Sequence, residues 1–248
     1  MQSYIEQGDC LALMKEIPDG SVDMVLCDLP YGLTQNKWDS RIPFDRLWNA
    51  YDRVCKQNAV IALFCSQPFS SALIMSNPHM FKHEWIWIKN RGSNFANTVR
   101  EPMKEHEHVE IFSKGKWTYN KQMQQRTGGG LSRVRYSLNN RTANSRNYRE
   151  FDKPNKNQGT LRVPSSWQKF NCEVGLHPTQ KPVALLEYLI KTYTNEGEVV
   201  LDNCMGSGST CIAAINTNRR YIGFELDPDY FEIARKRIEE TDAPLRHI

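Results

Sequence analysis

The chain has 248 residues, 40% of them hydrophobic, and a formal net charge of +4 from 32 basic and 28 acidic side chains. This length suits one large α/β domain, or one domain carrying an inserted lobe, and is enough to bury a sizeable core. No run of eighteen apolar residues occurs, and the start, Met1-Gln2-Ser3-Tyr4-Ile5-Glu6, has neither a basic region nor an apolar secretory stretch, which argues against a membrane span and a signal peptide.

In chain order, Tyr4-Ile5-Glu6-Gln7 reads as a short strand closed by Gly8-Asp9, and residues 10–17 carry helical spacing that stops at Pro18-Asp19-Gly20. The apolar run Val22-Asp23-Met24-Val25-Leu26-Cys27 predicts a buried strand ending at Asp28-Leu29-Pro30-Tyr31. A helix is expected over 41–55, a strand buried on both faces over 59–64, a helix over 69–75, and strands over 84–89 and 108–112. Periodicity then fades from about 115 to 175, where aromatic residues alternate with basic ones and Gly128-Gly129-Gly130 interrupts. Regular structure returns with a helix starting at Pro182, a strand ending at Asp202, and the tight turn Met205-Gly206-Ser207-Gly208 feeding a helix. A strand ending at Glu225 and a helix over 229–240 follow, with Asp227-Pro228 as cap and first turn. Strands alternating with helices at this spacing predict a doubly wound, mostly parallel α/β sheet.

The seven cysteines, Cys10, Cys27, Cys55, Cys65, Cys172, Cys204 and Cys211, are odd in number and form no C-x-x-C pair. They suit a reducing compartment rather than a disulfide or zinc framework. His106 and His108 stand among Glu105, Glu107 and Glu110 with no third ligand to complete a set, so no metal site is expected. Charge is uneven. Residues 114–169 hold thirteen lysines and arginines against Glu150 and Asp152, a segment charge of +11 that leaves −7 on the rest of a +4 chain. An acidic body with one basic insert points to a polyanion partner met by a single lobe.

Two constellations carry chemistry. In the first, Asp28, Pro30 and Tyr31 place a carboxylate, a fixed turn and an aromatic ring at a strand end, where ligands bind in open α/β sheets. In the second, Asp202 and the Gly206-Ser207-Gly208 turn precede Glu225 at the next strand end, an arrangement suited to a nucleoside-containing cofactor whose ribose hydroxyls meet the acid. The absence of a lysine before Ser209-Thr210 argues against a nucleoside triphosphatase. A nicotinamide-dependent dehydrogenase stays open on the second constellation alone, but leaves the first and the basic insert unexplained.

Together the two resemble the DNA amino-methyltransferases that use S-adenosylmethionine. Gly8-Asp9-Cys10, Ser21-Val22-Asp23 and Asp28-Leu29-Pro30-Tyr31 resemble the amino-terminal segment and the Asp-Pro-Pro-Tyr motif of those enzymes. His177-Pro178-Thr179-Gln180-Lys181-Pro182 resembles the segment before their cofactor half, Asp202-x-x-x-Gly206-Ser207-Gly208 their cofactor loop, and Arg219 through Glu225 their ribose-binding strand. The resemblance covers roughly residues 4–112 and 175–240, and the motif order is that of the β group. Leu29 stands where the first proline is usual, and Asn203-Cys204 where Pro-Phe is.

The resemblance implies a seven-stranded Rossmann-like methyltransferase sheet divided into a catalytic half (1–113), a basic target-recognition lobe (114–175) and a cofactor half (176–248). It implies methyl transfer to adenine N6 in double-stranded, or alternatively single-stranded, DNA after base flipping. The rivals are a cytosine-N4 enzyme, in which serine commonly replaces the aspartate, and a silent DNA-binding relative. A cytosine-C5 enzyme would need a Pro-Cys nucleophile, and no cysteine follows a proline. Catalysis would rest on Asp28, Pro30 and Tyr31. S-adenosylmethionine would be held by Asp9, Lys181, Asp202, Gly206, Ser207, Gly208 and Glu225. DNA would meet Arg126, Arg133, Arg135 and Arg141 beside the glycine run. The expected setting is a prokaryotic or phage-infected cytoplasm, in a restriction-modification context, as a monomer or homodimer with no membrane partner.

Overall fold

The computed structural model describes residues 2–32, 41–127, 160–173 and 180–242. They fall into two compact units, Met1–Asn120 with Ser166–Ile248, and Lys121–Ser165.

The first unit is built on an eight-stranded sheet. In chain order its strands are β1 (Tyr4–Gln7), β2 (Val22–Asp28), β3 (Cys55–Cys65), β4 (Phe81–Ser93), β5 (Lys104–Phe112), β8 (Trp167–Lys169), β9 (Val199–Asp202) and β10 (Arg220–Glu225). They lie side by side as β1-β10-β9-β2-β3-β5-β4-β8. Only the two pairings of β5 are antiparallel. The mostly parallel α/β sheet is therefore as expected, with one strand more than seven. The addition is β8, three residues that pair with Ile86, Trp87 and Ile88, too short for any periodicity to announce.

Continuous apolar runs arise because the central strands are covered on both sides. Along β2, Val25 and Cys27 join one core cluster while Met24 and Leu26 join another, as a side-chain period of two requires. Helices α2 (Phe44–Val54) and α3 (Phe69–Ser76) cover the first face, and α4 (Val183–Tyr193) and α5 (Ser209–Asn216) the second. In α2, Leu47, Tyr51 and Val54 repeat at helical spacing and are fully buried. A third cluster joins Met205 and α5 to α6 (Pro228–Asp242), and Gly223 of β10 makes room for it. A methyl group at Gly223 would sit 2.5 Å from Met205 Sδ and 2.8 Å from Cys211 Sγ.

The stretch expected to form the inserted lobe divides. Its ends belong to the first unit: Lys114 pairs with Asp52 at 2.8 Å, and Asn120 Nδ2 donates to the Thr194 carbonyl at 2.9 Å. The Trp117 ring lies 6.2 Å from that of His83, and Phe170 lies 5.8 Å from Tyr188. These anchored aromatics account for the shorter second unit. That unit contains β6 (Gln124–Gln125) and β7 (Leu161–Arg162), an antiparallel pair. Arg126 extends the pair, its backbone N–H donating to the Thr160 carbonyl at 2.7 Å and Nε to the Leu161 carbonyl at 2.9 Å. Arg133, Arg135, Arg141, Gly128-Gly129-Gly130 and His177-Pro178-Thr179 lie outside the described residues.

Candidate active site

The strand order reverses direction between β2 and β9. From β2 the chain builds outward through β3, and from β9 it builds the opposite way through β10. Met24 and Val25 pair with Val200 and Leu201, so Asp28 and Asp202 end neighbouring strands. A crevice is expected at such a switch point. A cavity of about 380 Å³ opens there, lined among others by Asp9, Asp28, Tyr31, Lys181, Asp202 and Glu225. That size suits a small-molecule ligand.

Asp28 is held from two sides. The Tyr31 hydroxyl donates to Oδ1 at 2.7 Å, and the buried Lys181 ammonium donates to Oδ2. The Tyr31 ring packs 4.9 Å from Phe69, and the Arg41 guanidinium lies 5.5 Å from the same Phe69 ring. Leu29, the departure from the usual proline, is 4% exposed and belongs to the core, so it substitutes one apolar packing residue for another.

Across the cavity, Glu225 accepts the Gly206 backbone N–H on Oε2 and the Asp227 backbone N–H on Oε1, each at 2.8 Å. An ionised carboxylate has about four lone-pair sites, so acceptor capacity remains beyond the backbone N–H groups of Gly206, Asp227 and Leu226. Burial raises the Glu225 carboxyl above the ordinary range. Gly206 adopts φ 51°, which suits glycine, and both Gly206 and Ser207 line the cavity. Gly208 does not line it. Its φ is 80°, and a methyl group there would meet Ala234 Cβ at 3.1 Å, so this glycine serves close packing against α6. Asp9 caps the helix Cys10–Leu13 by accepting the Ala12 N–H at 2.9 Å, and also faces the cavity. Asn203, the other departure, accepts the buried Tyr51 hydroxyl at 2.7 Å.

Asp202 is 4% exposed, and burial pushes its carboxyl up to about 6 despite hydrogen bonds from Thr210 and the Cys204 N–H. No lysine or arginine pairs with it among the described residues. Between the unfolded value near 4 and about 6, the folded chain binds the extra proton, so stability falls as pH rises through that window and levels off above it. Asp202→Asn should therefore gain on the wild type between pH 4 and pH 7, by on the order of 2–3 kcal/mol. Denaturant unfolding at both pH values measures this, and a pH-independent difference would refute it.

Two residues that the sequence reading did not assign to the site, Glu107 and Lys89, complete it. Glu107 of β5 lines the cavity with Oε2 3.4 Å from Lys181 Nζ, and its Oε1 accepts from Lys89 of β4. On the opposite face of β5, folding brings Glu84 and Glu110 to His108, although not to His106, with candidate ligand atoms within 4.8 Å of one another. His108 Nδ1 is already hydrogen-bonded to Glu84 Oε2 at 2.9 Å, and Glu110 Oε1 accepts the Ser70 hydroxyl at 2.5 Å.

A doubly wound sheet with a cavity at its switch point, an acid on each flanking strand and a glycine turn beside them is the arrangement of an α/β protein that binds a small ligand at its strand ends. Comparison with known proteins makes this specific. Residues 22–236 match the N6/N4 DNA methylase family, and the chain belongs to it. The family is the one its motifs resemble. The chain is 26% identical over 269 residues to the Type II methyltransferase M2.MboI of Moraxella bovis, covering 98% of this chain and 90% of that one. It is 26% identical over 255 residues to the DNA adenine methyltransferase YhdJ of Escherichia coli (strain K12), covering 95% and 82%. Its fold is similar to that of M1.HpyAVI, solved as a SAM complex, with a TM-score of 0.63, 24% identity, and 94% and 98% of the two chains covered.

Proposed function

We propose that this chain transfers a methyl group from S-adenosylmethionine to the exocyclic N6 of adenine in DNA, acting on a base turned out of the helix. The observation that carries the reading is that Asp28 at the end of β2, Asp202 at the end of the adjacent β9 and the Glu225–Gly206 pair line one cavity. The residues fit such a donor. Glu225 has acceptor capacity left for a ribose diol, and Asp202 is a buried carboxylate with no cation paired to it among the described residues, suited to an amino-acid ammonium group. Gly206 and Ser207 bring backbone close to the cavity, and Asp9 adds a further carboxylate on its wall.

When bound, S-adenosylmethionine supplies a methyl group activated by a sulfonium centre. The work of the protein is done on the amine. Its lone pair is delocalised into the base, which makes it a poor nucleophile. Asp28 accepts a hydrogen bond from the amino group, and a main-chain carbonyl at Leu29-Pro30 accepts a second. Together they draw the nitrogen toward tetrahedral geometry and aim its lone pair into the cavity. Alignment of the two reactants supplies much of the acceleration, with no covalent intermediate. Tyr31 offers a stacking face worth on the order of 1–3 kcal/mol, against an unstacking cost of a few kcal/mol for the flipped base.

The basic second unit would neutralise phosphates, with Arg126, Arg133, Arg135 and Arg141 as its candidates. Adenine is favoured over cytosine because the motif carries aspartate rather than serine, and a relative matching across most of this chain is named for adenine. Incubating the protein with duplex DNA and methyl-labelled donor, then digesting to nucleosides, tests the reading. N6-methyl-2′-deoxyadenosine is expected; N4-methyl-2′-deoxycytidine would overturn the choice of base, and no labelled nucleoside would overturn transfer itself.

A further inference from the structure

We propose that Glu107 is a positioning residue for methyl transfer: it fixes the Lys181 ammonium against Asp28, and Lys89 fixes Glu107 in turn. The inference rests on Asp28 being the group that orients the target amine.

Four charged side chains alternate in sign across the sheet: Lys89 on β4, Glu107 on β5, Lys181 just before α4, and Asp28 at the end of β2. Lys89 pairs with Glu107, Glu107 with Lys181 at 3.4 Å, and Lys181 with Asp28. The side chains of Lys89, Glu107 and Lys181 are 9%, 15% and 9% exposed, against 25% for Asp28. The row thus runs from the interior and opens at the residue that meets substrate. Its charges sum to zero, so removing one member leaves a buried charge without its counterion.

The chain has a reason to need the inner half of the row. Lys181 lies against the Phe64 ring, 5.3 Å from its centroid, and Asp28 alone could draw its ammonium outward into the cavity. Glu107 pulls from the opposite side and divides the attraction. Lys181 then stays between two carboxylates, and Asp28 keeps one orientation, with Tyr31 on its other oxygen. Among the described residues, the carboxylates that pair with Lys181 are Asp28 from β2 and Glu107 from β5, with Tyr31 behind the first and Lys89 behind the second. Burial opposes the charge on Lys181, but the two carboxylates outweigh it and hold the ammonium above the ordinary lysine range. Burial likewise opposes the charge on Glu107, and the two lysines outweigh it.

Loss of Glu107's negative charge should therefore let Lys181 lose its proton at lower pH. In Glu107→Gln, kcat should fall roughly 10- to 100-fold, the scale of one charge-assisted hydrogen bond. Donor affinity should change little, and the alkaline limb of the kcat profile should move toward neutral pH. Glu107→Asp should recover part of kcat, and Lys89→Met should show the same shifts more weakly. Trace acetylation across pH, followed at Lys181 by mass spectrometry, reads the pairing without turnover and should show Lys181 reacting at lower pH in Glu107→Gln. An unmoved acetylation profile, or wild-type kcat and pH dependence in Glu107→Gln, overturns the proposal. A wild-type chain that labels no nucleoside on varied DNA overturns instead the methyl-transfer reading beneath it.

Discussion

Asp28→Ala is expected to reduce methyl transfer by at least 10²- to 10³-fold, the range found when one preorganised hydrogen-bonding group is removed from a reaction centre, while donor binding stays within a few-fold of wild type. The two halves of that statement come from different strand ends at one cavity. Asp28 ends β2, whereas the candidate donor groups are Glu225 at the end of β10, Asp202 at the end of β9 and Gly206 in the turn after it. Truncation at Asp28 therefore touches the amine side without removing a donor contact. It also removes the Tyr31 hydroxyl's partner but leaves Lys181 paired with Glu107, so the lysine is still compensated and the fold should survive. Asp28→Asn is the companion variant. It keeps the volume and an acceptor for Tyr31, but turns an amide N–H₂ toward a Lys181 that can only donate. Single-turnover rates with labelled donor, alongside calorimetric titration of the donor, separate the two effects. Lost donor binding in either variant would mean that Asp28 belongs to the donor wall.

Strand ends were the readable part of this protein because their chemistry is local. Asp28, Asp202 and Glu225 each close an apolar run of strand length, and a run buried on both faces needs no partner sequence to be recognised. Their convergence required the family resemblance, since no spacing rule brings residue 28 to residue 202. Glu107 and Lys89 were hidden by their neighbours. His106-Glu107-His108 looks like a solvated edge, yet Glu107 shares strand parity with Val109 and Ile111, both fully buried. Lys89 likewise follows the alternation of Trp85 and Trp87. A charged residue one step beyond a buried alternating face was the available signal, and the Trp87–Glu107 pairing makes sense of it. For Gly208 the difficulty was that glycine in a turn can serve a ligand or a neighbouring helix, and only packing against Ala234 distinguishes them. Of the basic insert, charge was legible from composition, but the anchoring of its ends through Trp117 and β8 depended on long-range contacts that composition does not encode.

Glu225→Ala should produce the complementary defect, with donor affinity reduced on the order of 10- to 100-fold, the loss of one or two hydrogen bonds to a charged acceptor, and DNA affinity unaffected. The carboxylate has two duties that must be separated. It accepts the N–H groups of Gly206 and Asp227 at 2.8 Å each, thereby tying the glycine turn to the start of α6, and it also lines the cavity. Glu225→Gln separates them in part. One oxygen still accepts a backbone N–H, while the amide nitrogen meets the other N–H donor to donor and loses its capacity toward a diol. If Glu225 only held the turn, Gln would recover much of the affinity lost in Ala, and the donor and an analogue lacking its ribose hydroxyls would weaken equally. If it also binds the diol, Gln should remain weak, and the wild type alone should discriminate against the deoxygenated analogue. Calorimetry with both compounds on three proteins decides the matter. Equal affinity of wild type and Glu225→Ala for the intact donor would remove Glu225 from the site altogether.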